Sequence, residues 1–141
     1  MRAVHNHPLR LVAVTVAAFG LLAACAQTLR AERDGRDVGQ SICDVRDADT
    51  AEEAAAALED LEAEIDDLAQ EVAMFTAEDR ADVSENLSDL SEHVAGENEA
   101  LAQQDITVIR RSMDNIRDDL GQTGQAAVDG ILQGLMECEE G

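Results

Sequence analysis

The chain has 141 residues, with 31 Asp plus Glu against 10 Lys plus Arg, a formal net charge of −21 at pH 7. All ten basic residues are arginine, and there is no Trp or Tyr. Such a surface repels phosphate backbones and excludes nucleic acid as a partner. Its 45% apolar content is also too high, and too regularly placed, for a disordered acidic tail.

The N-terminal segment carries Arg2 and Arg10 and no acid, followed by an apolar run from Leu11 to Ala24. As a helix these 14 residues would reach about 21 Å, short of the roughly 30 Å hydrocarbon core of a bilayer. A basic start, a short apolar run and small residues at its end describe a secretory signal peptide over 1–24. The run closes on Leu22-Ala23-Ala24-Cys25, an aliphatic residue, two small ones and a cysteine. This stretch resembles the lipobox of bacterial lipoproteins. The resemblance implies that Cys25 is the lipidation site, acylated through its sulfur, and becomes the mature N-terminus. It further implies a protein anchored to the cell membrane by lipid on its extracytoplasmic face, without spanning it. Two or more acyl chains give stable anchoring where one gives marginal binding.

Loss of Arg2 and Arg10 with the leader takes the net charge to −23. Residues 26–40, AQTLRAERDGRDVGQ, have balanced charge, two glycines and no apolar period. With Cys25 they are expected to form a flexible tether over 25–40, of about 20 Å span, with a short helix over Leu29–Asp34 as the alternative. A bundle domain is expected over 41–141.

Its first helix starts at Thr50-Ala51-Glu52-Glu53, a capping box. Ala51, Ala54, Leu58, Leu61, Ile65, Leu68, Val72 and Phe75 then alternate spacings of 3 and 4, a heptad seam. A second cap, Thr76-Ala77-Glu78-Asp79, opens a helix with seam Val83, Leu87, Leu90 and Val94, and Gly96 is its expected stop. The third seam is Ala102, Ile106, Ile109, Met113, Ile116 and Leu120, with Arg110 and Arg117 placed to pair with Asp114. Beyond Gly121 and Gly124, the fourth seam is Val128, Ile131, Leu135 and Cys138. No segment alternates as a strand would.

Cys43 and Cys138, 95 residues apart, are left over in an oxidising compartment and are expected to form one disulfide. An antiparallel up-down-up-down four-helix bundle brings the start of its first helix and the end of its last to the same end, where the two cysteines meet. The fold class expected is therefore all-α, a four-helix bundle stapled by one disulfide. The alternative absorbs Gly96 and gives three helices, one of them a long central rod. In the four-helix version the stapled end faces the membrane, and the turns near Thr76 and Gly121–Gly124 are distal.

Catalytic chemistry finds little support. His93 is the single histidine after the leader, with Ser84, Ser88 and Ser91 on the same helix. One helix face supplies neither a rigidly held nucleophile nor an oxyanion hole. Asp89 and His93 would make a weak two-ligand metal site at best. Asp44, Asp47 and Asp49 lack the sixth-position glycine of a calcium loop. Met74, Met113 and Met136 are expected in the core rather than as copper ligands. The reading is a non-enzymatic, lipid-anchored envelope lipoprotein with no catalytic residues, metal or cofactor. It acts as a binding or interaction module, with a cationic envelope protein as the kind of partner its surface suits. The alternative is a carrier or sensor of an apolar ligand or divalent cation.

Overall fold

The computed structural model of the chain describes residues 7–140, with side chains from Cys25 onward; the expected leader over 1–24 falls outside those described side chains. The described residues form five helices and no strand. They are α1 (His7–Arg46), α2 (Ala51–Glu71), α3 (Ala77–Ala95), α4 (Glu99–Arg117) and α5 (Gln122–Glu140). The chain runs up and down through them, so α5 returns parallel to α1.

Helices α2 to α5 are the four expected from the seams. The Thr50 side chain accepts the Glu53 amide at 3.1 Å, and the Glu53 carboxylate reaches back to the Asp49 amide at 3.1 Å. Thr76 accepts the Asp79 amide at 3.0 Å. Both caps satisfy amides that the first helical turn leaves open. The seams close on one core: Leu61, Ile65, Leu87, Leu90, Ile106, Ile109, Met113, Ile131 and Leu135 are all at most 1% exposed. Each such burial is worth about 1.5–3 kcal/mol. α2 ends at Glu71 rather than at Phe75, because Val72 turns extended and leads the chain across to Thr76. Met136 departs from its expected core position and is 53% exposed.

The long central rod does not form. α3 stops in a Schellman turn, with Glu97 N–H donating to the Val94 carbonyl at 3.0 Å and Asn98 N–H to that of His93 at 2.9 Å. Asn98 then caps α4 by accepting the Leu101 amide at 3.1 Å. The left-handed residue of this turn is not Gly96 but its neighbour Glu97, at φ 57°. A side chain there costs about 1 kcal/mol that glycine avoids. Glu97→Gly is therefore expected to stabilise the protein by roughly 1 kcal/mol, read as a raised urea midpoint at unchanged m-value.

The fifth helix corrects the sequence reading most. The flexible tether expected over 25–40 is instead the body of α1, packed along α5 with Ala31, Val38, Ile42 and Val45 buried. A glycine stripe makes this packing. A Cβ at Gly39 would run into the Ile131 carbonyl and come within 2.9 Å of the Leu135 amide nitrogen. One at Gly130 would strike the Glu32 carbonyl and come within 2.9 Å of the Arg36 nitrogen. Gly35 faces the Ala127 backbone and Gly134 that of Arg36, so the two helices touch backbone to backbone.

Candidate functional site

Cys43 and Cys138 are joined in the expected disulfide, with Cα atoms 6.3 Å apart. This separation lies within the range of native bridges. The bridge is the last step of a pattern that occurs twice. Gly35-x3-Gly39-x3-Cys43 on α1 and Gly130-x3-Gly134-x3-Cys138 on α5 share one spacing. Residues four apart lie on one helix face, so each stripe presents two glycines and a cysteine to its parallel counterpart. Polar contacts flank the seam. Arg36 Nε lies 3.5 Å from Glu137 Oε1, Gln40 donates to Glu137 at 3.1 Å, and Arg46 donates to the Cys138 carbonyl at 3.5 Å.

Cys25, the expected lipidation position, is the one free cysteine among the described residues, and it is exposed. It stands on α1, 18 residues before Cys43, or about 27 Å along the helix. The stapled end is thus the end far from Cys25. The links 72–76 and 118–121 lie at the Cys25 end, and the links 47–50 and 96–98 lie beside the disulfide. This reverses the orientation expected from four helices, because α1 inserts one more helical pass between Cys25 and the staple. Among the described residues no helix is long and apolar enough to cross a membrane.

Two surface clefts accompany this frame. One, of about 460 Å³ between α1 and α2, is walled by Asp34, Asp37, Glu64, Asp67 and Glu71. Burial pushes the Glu64 carboxyl up, the Ser41 hydroxyl that donates to it at 2.8 Å pulls it back, and Asp37, Asp44 and Asp60 push it up further. The other cleft, of about 580 Å³, lies at the stapled end between Arg46, Asp47, Asp49, Glu97, Asn98 and Glu99. Neither is an apolar cavity inside the core. Among the described residues no group of three or more His, Cys, Asp or Glu is placed to hold a metal ion. Asp47 instead takes a two-point contact from Arg46, at 2.9 and 3.3 Å.

The residues weighed for catalysis are drawn apart. Ser84 donates to Glu62 at 3.0 Å across the α2–α3 contact, where Arg80 also pairs with Glu62 and Asp66. His93 faces the other way, with Nδ1 2.5 Å from the Asp105 carboxylate of α4. The expected pairs of Arg110 and Arg117 with Asp114 give way to longer-range ones. Arg110 pairs with Glu139 and Arg117 with Asp129, both on α5. These pairs tie α4 to the helix beside it, which a pairing within α4 could not do.

The Asp105 hydrogen bond raises the His93 pKa above the ordinary histidine value of about 6.5, and the charges of Asp105, Asp89 and Glu92 add to it. A raised folded-state value means that the pair's stabilisation is fully present below the unfolded value. It is lost as pH rises through the folded value. Melting temperature should therefore decline from about pH 6 towards pH 8, and His93→Gln should flatten that slope. An equal slope in the variant would remove His93 as its cause.

No protein-family model matches this chain, and no curated protein or solved structure is significantly similar to it.

Proposed function

We propose that the protein is a lipid-anchored lipoprotein of the cell envelope, held on the extracytoplasmic face of the membrane, whose helical body is a non-enzymatic interaction module. The observation that carries this reading is Leu22-Ala23-Ala24-Cys25 at the end of a short apolar run, with Cys25 exposed on α1. The buried interior of the described residues is apolar, and the clefts lie on the surface with mostly acidic or polar walls. That arrangement favours recognition at the surface over carriage of an apolar ligand within. The partner class is a cationic envelope protein, since five carboxylates face one another across the α1–α2 cleft.

Two measurements test the reading together. Cys25→Ser should move the protein from the membrane fraction to the soluble or unprocessed one. Capture of partners from native envelopes with the anchored protein should weaken as salt rises from 50 to about 500 mM, where screening shortens the reach of exposed charge. Capture unaffected by salt would remove the acidic surface as the contact. A lipid or metal co-purifying at one equivalent would favour the carrier reading instead.

A further inference from the structure

Arginine is scarce in this chain, and most of it is committed. Among the described residues Arg36, Arg46, Arg80, Arg110 and Arg117 each form an ion pair. Arg30, Arg33 and Arg111 form none and are exposed. Two of these three lie within the first eight positions after Cys25. In a molecule with 31 acids, leaving nearby cations unpaired is informative, because four of the other five pair with carboxylates on neighbouring helices and Arg46 pairs with Asp47.

The helix geometry groups them further. Cys25, Leu29 and Arg33 follow one another at steps of four, on one face of α1. The α5-facing stripe of Ala31, Gly35 and Gly39 lies on the opposite side, and Arg30 sits beside Arg33. Leu29 is the most exposed large apolar residue of the described chain, at 62%. The outward face therefore offers a cysteine, an apolar side chain and two free guanidinium groups in succession. Ala31, the first buried residue of α1 among those whose side chains are described, follows Cys25 by six positions, about 9 Å of helix. A body held that closely cannot stand clear of the surface to which Cys25 is fixed.

From this we infer that the outward face of α1 over Cys25–Arg33 is a membrane-contact surface, whose Arg30 and Arg33 bind the phosphates of anionic lipid headgroups while Leu29 seats at the interface. This inference rests on the lipid-anchor reading of Cys25. The fit is one of charge and shape: guanidinium groups take phosphate oxygens at two points, and basic residues beside an anchor gain from the negative surface potential. The contact offsets the repulsion that the rest of the acidic body feels from the same surface. It also leaves the disulfide end, with the links 47–50 and 96–98, pointing into solvent.

The test uses the full native protein, reconstituted into vesicles of phosphatidylcholine alone or with about a third phosphatidylglycerol. A dicarbonyl reagent that modifies free arginine is applied, and each site is followed by peptide mass spectrometry. Arg111 on α4, equally unpaired, is the internal reference. Arg30 and Arg33 should be modified at least about five-fold more slowly in the anionic vesicles than in the neutral ones, with Arg111 unchanged. High salt should erase the difference. If Arg30 and Arg33 react at the Arg111 rate in both lipids, the membrane-contact face is wrong. The same spectra report whether the Cys25 peptide carries fatty acid. A bare Cys25 removes the anchor reading itself, while an acylated Cys25 with reactive Arg30 and Arg33 removes only this contact.

Discussion

Gly39→Val is expected to destabilise the protein by about 3 kcal/mol or more. The reason is the absence of room. A Cβ at this position meets the Ile131 carbonyl and would stand 3.0 Å from the Gly134 Cα, both on the backbone of α5. Backbone of a packed helix cannot swing aside as a flexible side chain does, so the two helices must separate. Separation opens gaps beside Ile42, Ile131 and Leu135, each 0% exposed, and forfeits their contacts. Gly39→Ala makes a sharper test of sign. Alanine favours an isolated helix over glycine by about 1 kcal/mol, yet here it should still lower stability. Gly121→Ser is the contrasting case. Nothing lies within 4 Å of a Cβ at Gly121, which precedes α5, and its carbonyl accepts the Gln125 amide at 2.9 Å. Serine suits that capping position, so a gain of a few tenths of a kcal/mol is expected. Urea unfolding of the three variants decides the matter: equal midpoints for Gly39→Ala and Gly121→Ser would mean that α1 and α5 do not meet through glycine.

Removing the bridge has an expected effect on stability of the same order, through a different state of the chain. The Cys43–Cys138 disulfide closes 95 residues and takes in every helix from α2 to α5. Chain-entropy reasoning puts such a closure at about 4–5 kcal/mol, an upper figure because the unlinked chain retains some structure. For a domain of this size that corresponds to roughly 15 °C in melting temperature. The Cys43→Ala/Cys138→Ala double variant should melt lower by an amount of that order, with its helical circular dichroism below the transition unchanged. The packing of Gly35 against Ala127 and of Gly39 against Gly134 does not depend on the sulfur atoms. A variant that loses helix at low temperature would instead mean that the bridge, and not the glycine stripe, holds α1 in place.

The parts of this fold that were legible in the sequence are those whose signals are local and periodic. Thr50 and Thr76 announce helix starts because capping needs only the next three residues. Leu61, Ile65 and Leu68 on α2, and Ile106, Ile109 and Met113 on α4, are buried as their spacing indicates, since a 3–4 alternation has one apolar face to hide. The cysteine pairing followed from counting, once Cys25 was set apart.

The first helix was not legible in this way. Its α5-facing positions are Ala31, Gly35 and Gly39, which carry no hydrophobic period, and glycine is a poor helix former. Tertiary contact supplies the stability that propensity withholds. A signal did exist, in the recurrence of Gly-x3-Gly-x3-Cys at 35–43 and 130–138. It becomes meaningful once the two cysteines are taken as a register mark for parallel helices. Long-range ion pairs were illegible for a related reason. Arg110 and Arg117 have an acid within reach on their own helix, but α5 offers Glu139 and Asp129 from across the interface. The candidate site shows the same division. The expectation for Cys25 rests on the three residues before it, whereas its distance from the staple depended on a helix that the composition disguised.

Intact-mass analysis of the protein purified from native membranes, with sequencing of its N-terminal peptide, bears most directly on how this molecule is placed. The expected result is a chain that begins at Cys25 and carries the added mass of a diacylglyceryl group on that residue, with Cys43 and Cys138 oxidised. A chain that begins at another residue, with no fatty acid on Cys25, would contradict it.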